Sequence, residues 1–333
     1  MDPLSHALLG TLSARSLGAG RARAPLLAGA IGALLPDADV LIRAAGDPLL
    51  TLEFHRQFSH SFTLAPVAAL LVAGALHLLL RHRSAFGALY LAALLGCVSA
   101  LLLDACTSYG TQLLWPFSGT RYAWSVIPVV EPVMTAVLLG GVLLAWFRSG
   151  ARGPRIALAL ALAWLAVGWL QRERAAEAVV ALATARGDDI ASLTVKPTLG
   201  NLLLWRSVYL SGGRYVVDAV RVPPGGAPQV YPGAAIARVT AEDFAAELGA
   251  DSVQLADVRR FAAVSEGHLV RHPGRADVIG DIRYALLPDQ ARPLWGIRVD
   301  PTTPDAHVEL LSFRAMTRAD RARFVALLTG RAR

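Results

Sequence analysis

His55-Arg56-Gln57-Phe58-Ser59-His60-Ser61 runs directly into residues 62–80, about 19 apolar positions and close to the ~20 that a helix needs to cross a bilayer. Elsewhere the first half of the chain is nearly free of polar side chains, so this heptapeptide stands out. Imidazole is the commonest protein ligand for transition metals and an uncharged one, so a histidine pair at a membrane surface suggests a metal site. Polar residues that simply end a transmembrane helix would look the same. The heptapeptide fits both readings, and the segments around it decide between them.

Working outward, the 333 residues are long enough for two domains and are 54% hydrophobic, unevenly spread. Residues 1–171 hold most of the long apolar runs, whereas 172–333 read as an ordinary soluble segment. The expectation is an α-helical membrane domain of about six helices, four of them clearly long enough to span, followed by a small soluble α+β domain. The net charge of +7 comes almost wholly from arginine, Lys196 being the single lysine. No basic stripe interleaves with aromatics, which argues against nucleic acid as a partner. Cys97 and Cys106 fall on one apolar helix and read as small buried thiols rather than a disulfide or metal pair. No cleavable signal peptide is evident, because Met1-Asp2-Pro3 lacks a basic region and His6 interrupts the first apolar run.

The remaining helices follow from hydropathy and punctuation. Asp2-Pro3 starts a helix well, running to about Leu17, and a second follows from Pro25. Pro36 weakens that helix at Leu35 and favours an extended Pro36-Asp37-Ala38-Asp39, in which the two carboxylates point the same way. Further apolar runs cover 85–103, 126–147 and 155–171. After Gln171 a charged helix leads into strand-like segments at 191–196, 202–210, 214–222, 276–287, 294–299 and 307–313, closed by an amphipathic helix over 317–329. Pro223-Pro224-Gly225-Gly226 and Pro232-Gly233 read as turns.

Threading the helices up and down brings His6, Asp37, Asp39, His55, His60 and Asp104 to one face. The opposite turns hold Arg15, Arg21, Arg23, Arg81, Arg83, Arg148, Arg152 and Arg155, which the positive-inside rule assigns to the cytoplasm. Arg43, Arg56, Arg121, Arg172 and Arg174 run against that bias. The His/Asp face and the tail are therefore expected on the extracytoplasmic side of a bacterial inner membrane. Charged groups beside membrane spans are costly and tend to be functional. Oxygen and imidazole donors suit Zn²⁺, with Mn²⁺ or Fe²⁺ as rivals, better than Ca²⁺.

Each residue also has a plainer reading. His6 can be an interfacial histidine, Asp37 and Asp39 can cap a turn, and Thr107 can cap a helix. His55 and His60, five apart, lie some 140° around an ideal helix, so His55 belongs on the loop and His60 at the helix start. Asp104, ending an apolar span, is the hardest to explain without a ligand. Arg56, Arg121 and Thr107 offer contacts for an anion such as phosphate. Glu131, within an apolar run, reads as an outer partner of the site or as half of a helix-face pair with arginine.

Four motifs in order, MDPLSHALLG (1–10), LLPDAD (34–39), HRQFSHS (55–61) and LLLDACTSYGTQLLWPFS (101–118), resemble the YdjM-like family of bacterial inner-membrane proteins. Metal-dependent hydrolysis is ascribed to that family, with a distant similarity to zinc-dependent phospholipases C. The likeness covers roughly 1–135, and GNLLLWRSVYLSGGRYVVDAVRV and DIRYALLPDQARPLWGIRVDP are similar to the C-terminal part of long members. It implies His6, Asp37, His55, His60 and Asp104 as metal ligands.

Together these readings point to a membrane-bound metal-dependent hydrolase. Asp39, Arg56 and Arg121 are its catalytic candidates, the arginines stabilising an anionic transition state. A phospholipid or lipid-linked phosphate is the expected substrate. The rival is a membrane protein with a structural metal and a C-terminal binding module. A transporter fits less well, since the polar groups lie at one surface and no internal repeat is visible.

Overall fold

Proline in the first turn and a run of small and aliphatic residues set the first helix, α1 (Pro3–Ser16). The computed structural model describes residues 1–16, 23–81, 83–147 and 151–332. Arg21, His82 and Arg148, and the end of α1 at Leu17, lie outside the described residues. Next come α2 (Arg23–Leu34), a 3₁₀ turn (Leu35–Leu41), the short α3 (Leu50–Phe54) and a second 3₁₀ turn (Phe58–His60). The apolar helices α4 (Ala65–Leu79), α5 (Phe86–Ala105) and α6 (Pro132–Phe147) follow, then the 35-residue α7 (Arg152–Arg186).

Among the described residues three helical stretches are long and apolar enough to cross a membrane: Arg23–Leu41, Phe86–Ala105 and Arg152–Arg186. A fourth exists if Leu50–His60 and Ala65–Leu79, bent by 82°, form one broken span. The expected six helices and four clear spans are not confirmed: α1 (14 described residues) and α6 (16 residues) are short of the bilayer's thickness, and a fourth span depends on the bent pair.

Glycine faces let these helices meet at backbone distance. A Cβ added to Gly10 would collide with the Gly29 carbonyl, and one on Gly96 with the same carbonyl. In α1, α2 and α5 the small residues therefore serve as the contact surface, the usual device where no hydrophobic effect separates helix from lipid. Ala14, Ala28, Ala92 and Ala93 fill the remaining seam. This close packing brings one end of α1, the 3₁₀ turn after α2 and the end of α5 to one place.

The chain divides into two units, Met1–Ile42 with Phe54–Leu170 and Leu199–Asn201, and Arg43–Glu53 with Gln171–Thr198 and Leu202–Arg333. The second holds two antiparallel four-stranded sheets. In the first, β1 (Ser192–Pro197), β2 (Leu204–Ser211), β3 (Arg214–Arg221) and β4 (Gln229–Ala237) pair in chain order. Between the sheets run α8 (Ala245–Leu248) and α9 (Val253–Val264). The second sheet is β5 (Leu269–His272), β6 (Arg275–Asp281), β7 (Trp295–Arg298) and β8 (Glu309–Ser312), again in chain order. The last helix, α10 (Arg318–Thr329), is opened by a Thr317/Asp320 capping box.

Phe244, Leu255, Val258 and Phe261 pack on Leu269, Ile279 and Ile297 to cover one face of the second sheet, and Leu49 joins that core. Three sequence expectations are corrected here. Gln171 does not separate two helices: α7 runs through it to Arg186, because Arg, Glu and Ala beyond it are good helix formers. Pro232-Gly233 is not a turn but part of β4, an edge strand, where a missing N–H is tolerated. Gly233 is required because a Cβ there would strike the Asp289 and Val217 carbonyls. The strand placed over 276–287 ends at Asp281, after which Arg283 folds back to pair with the Asp281 carboxylate at 2.8 Å.

Candidate metal centre

Pro36 sets the first turn of the 3₁₀ segment instead of holding it extended. With three residues per turn, side chains two apart diverge. Asp37 and Asp39 consequently reach the two nitrogens of one ring, that of His60. Asp39 Oδ2 is 3.1 Å from Nδ1, and Asp37 Oδ1 is 3.4 Å from Nε2. A carboxylate accepts, so Nδ1 carries the proton and the Nε2 lone pair faces the cluster. Ser59 Oγ donates to Asp39 at 2.8 Å, and the Arg56 backbone N–H donates to the same oxygen at 2.9 Å.

From α1, His6 Nδ1 lies 3.2 Å from Asp37 Oδ2, and its Nε2 lies 3.4 Å from Asp104 Oδ1. Asp104, on the last turn of α5, places Oδ2 at 3.3 Å from His60 Nε2. His6, His60 and Asp104 are no more than 1% exposed, whereas the side chains of Asp37 and His55 keep 24% and 23%. Ligand atoms of His6, Asp37 and Asp104 all fall within 4.8 Å of one another. The cluster is closed toward the helices and open on the Asp37 and His55 side.

Three buried atoms in this group, His6 Nε2, His60 Nε2 and Asp104 Oδ2, make no hydrogen bond among the described residues. Leaving such atoms unsatisfied is costly. Separations of 3.3 and 3.4 Å between these atoms and neighbouring ligand atoms suit adjacent ligands on one ion, the set within mutual reach being His6, Asp37 and Asp104. Bonds of about 2.0–2.1 Å in a tetrahedron give edges of roughly 3.3–3.4 Å. Two neutral imidazoles and two carboxylates also balance a dication. The residues present therefore fit Zn²⁺, and the donor set also admits Mn²⁺ or Fe²⁺. Among the described residues no thiolate joins the group, and Cys97 and Cys106 are free and buried.

The other sequence candidates sit around this core. His55 Nδ1 meets Asp39 Oδ1 at 2.9 Å, so the ring is held by the carboxylate that also holds His60. Arg56 is buried, with Nη2 at 2.7 Å from Asp104 and Nη1 donating to Thr107 Oγ1 at 2.8 Å. Its guanidinium is committed to bracing Asp104, and its backbone φ of 58° is a left-handed value that a non-glycine residue adopts at some cost. The Met1 amino group also reaches Asp104. Arg121 Nη1 donates to the His55 carbonyl at 3.2 Å. Thr107 Oγ1 donates to the Asp104 carbonyl at 2.7 Å, the capping role. Among the described residues Glu131 contacts neither the cluster nor an arginine. It accepts from Met134 N–H at 2.6 Å and Trp164 Nε1 at 3.0 Å, at the start of α6.

Two contributors were not assigned a role from sequence. Ser59 sits between Asp39 and His60, and Tyr109 lies edge-on to His55 with ring centres 5.0 Å apart. Both fall inside the motifs already quoted, which was their only signal.

The fold and this cluster define a class: a helical membrane protein in which His and Asp from four segments converge at the ends of the helices. Within that class the chain belongs to the YdjM inner membrane protein family, whose sequence profile matches residues 1–175. No curated protein and no solved structure matches the chain.

Proposed function

We propose that the protein is a membrane-bound metal-dependent hydrolase acting on a phosphoester of a lipid or lipid-linked substrate. The site lies at the extracytoplasmic face of the bacterial inner membrane, with the C-terminal domain on the same side. The observation that carries this reading is the convergence of His6 Nε2, His60 Nε2 and Asp104 Oδ2, buried and without hydrogen-bond partners, beside a partly exposed Asp37. A purely structural site has no need of an open side.

In this reading His6, Asp37, His60 and Asp104 hold the ion, zinc by preference. When bound, the dication supplies Lewis acidity toward water and a phosphoryl oxygen. Asp39 is a positioning residue: it fixes the tautomer of His60 and orients His55. His55, on the open side with Nδ1 held by Asp39, takes or delivers a proton at Nε2 and takes no part in binding the ion. Arg56 acts through Asp104. Arg121, at the His55 carbonyl, supplies positive charge for an anionic substrate.

The test uses purified full-length protein, its bound metal and its hydrolysis of a panel of phosphodiesters and lipid phosphates. Wild type is expected to hold a divalent metal and cleave at least one class, and His60→Ala and Asp104→Asn to lose both while remaining folded and inserted. Metal retained by wild type with no hydrolysis across the panel would instead support the structural-metal reading, with the tail as a binding module.

A further inference from the structure

The segment that carries Asp104 has a second face. Beyond Ala105 the backbone is pinned from the other side, with Trp124 N–H donating to the Ala105 carbonyl at 2.8 Å and Val126 N–H to that of Cys106 at 2.9 Å. Ser125, between them, takes a left-handed φ of 54°. That turn sets Trp124 and Val126 beside α7 and leaves an open cleft of about 550 Å³ lined by Cys106, Trp124, Val126, Leu165, Ala166 and Trp169. The volume lies in the range of ligand sites, but the wall is apolar and lacks the few convergent polar groups that small polar ligands need.

Three observations say what fills it. The cleft lies between α7 and the residue that caps α5, two helices apolar enough to cross a membrane, where hydrocarbon is the surrounding medium. Trp124 and Trp169 stand at its edge, 38% and 50% exposed, as indoles do at the level of lipid headgroups. Its wall adjoins the site along the chain: Cys106 is two residues from Asp104, and the next residue, Thr107, accepts from Arg56.

We propose that this cleft seats an acyl chain of the substrate lipid and thereby delivers the headgroup phosphoester to the His6/Asp37/His60/Asp104 site. The assignment rests on the hydrolase reading and narrows its substrate to a lipid bound by its tail.

Ala166 is exposed, so Ala166→Trp fills the cleft without touching the helix core, and Ala166→Leu fills it less. Full-length protein is assayed on dioleoylphosphatidylglycerol and on the soluble bis(p-nitrophenyl) phosphate. Its saturable binding of radiolabelled dioleoylphosphatidylglycerol is measured in detergent. The proposal expects Ala166→Trp to lower lipid turnover and lipid affinity at least tenfold, with Ala166→Leu intermediate. Soluble-substrate turnover and metal content stay within twofold. Equal loss on both substrates, or no loss of lipid affinity, overturns it. If wild type cleaves neither substrate, the hydrolase reading fails by itself. Lipid binding still decides the cleft, lost in Ala166→Trp if the cleft holds the chain and unchanged if it does not.

Discussion

Asp39 holds two imidazoles at once, His60 at 3.1 Å and His55 at 2.9 Å, and this separates binding from proton transfer in the site. Asp39→Ala leaves every proposed ligand in place but removes the acceptor that fixes the His60 tautomer. Metal affinity should fall about 10–100-fold, the usual cost of losing such a partner. His55→Gln should keep metal content and lower kcat, and an equal loss of metal in both variants would show His55 to be a ligand. In the tail, Lys196 is buried with Nζ 3.8 Å from the centre of the Tyr284 ring. Burial pushes its ammonium well below the ordinary amine range, Arg283 adds to the effect, and Asp281 and Glu266 oppose it. The folded state therefore binds fewer protons than the unfolded chain between the depressed value and the ordinary one near 10.5. Wild-type stability should rise as pH climbs through that window. Lys196→Met should raise the thermal midpoint at neutral pH, and its advantage should shrink toward pH ~10.5. A gap that widens with pH would mean that the ring and the carboxylates outweigh burial.

Among the elements, the seam of α1, α2 and α5 sets the site. Gly96 meets the Gly29 backbone, so Gly96→Val must push α5 off α2 and carry Asp104 away from His6. Overpacking of this kind costs about 1–3 kcal/mol. The variant should unfold earlier in detergent and lose metal together, and metal retained at wild-type affinity would show that the seam does not position the site. Hydropathy made α4, α5 and α7 legible, since each is an apolar run with a charged or proline-marked end. The His/Asp positions were legible because polar side chains are so scarce around them. Asp37 and Asp39 were harder. Proline permits both an extended and a 3₁₀ continuation, and only packing against His60 selects the latter. β4 was hidden because Pro232-Gly233 carries the local chemistry of a turn, and only its edge position admits it to a sheet.

The two units part at Leu170/Gln171, but short intervals far from that point change sides. Residues Arg43–Glu53, between the Asp39 and His55 motifs, group with the C-terminal unit. Arg260 on α9 explains this, donating to Glu53 at 2.7 and 2.8 Å and to Asp47 at 2.7 Å. No hydropathy pattern announces a long-range ion pair, so nothing in the sequence marked this attachment. Arg260→Ala should speed hydrogen exchange across 43–53 and lower stability by about 1–2 kcal/mol, modest because the groups are partly exposed. Unchanged exchange there would show that Leu49 packing alone holds the segment. The most direct test of the metal centre is zinc K-edge absorption on the zinc-loaded full-length protein. The account predicts one ion with nitrogen and oxygen neighbours at about 2.0–2.1 Å, two imidazoles and no sulfur. A sulfur shell, or failure of zinc to bind when His6, Asp37, His60 and Asp104 are all intact, would contradict it.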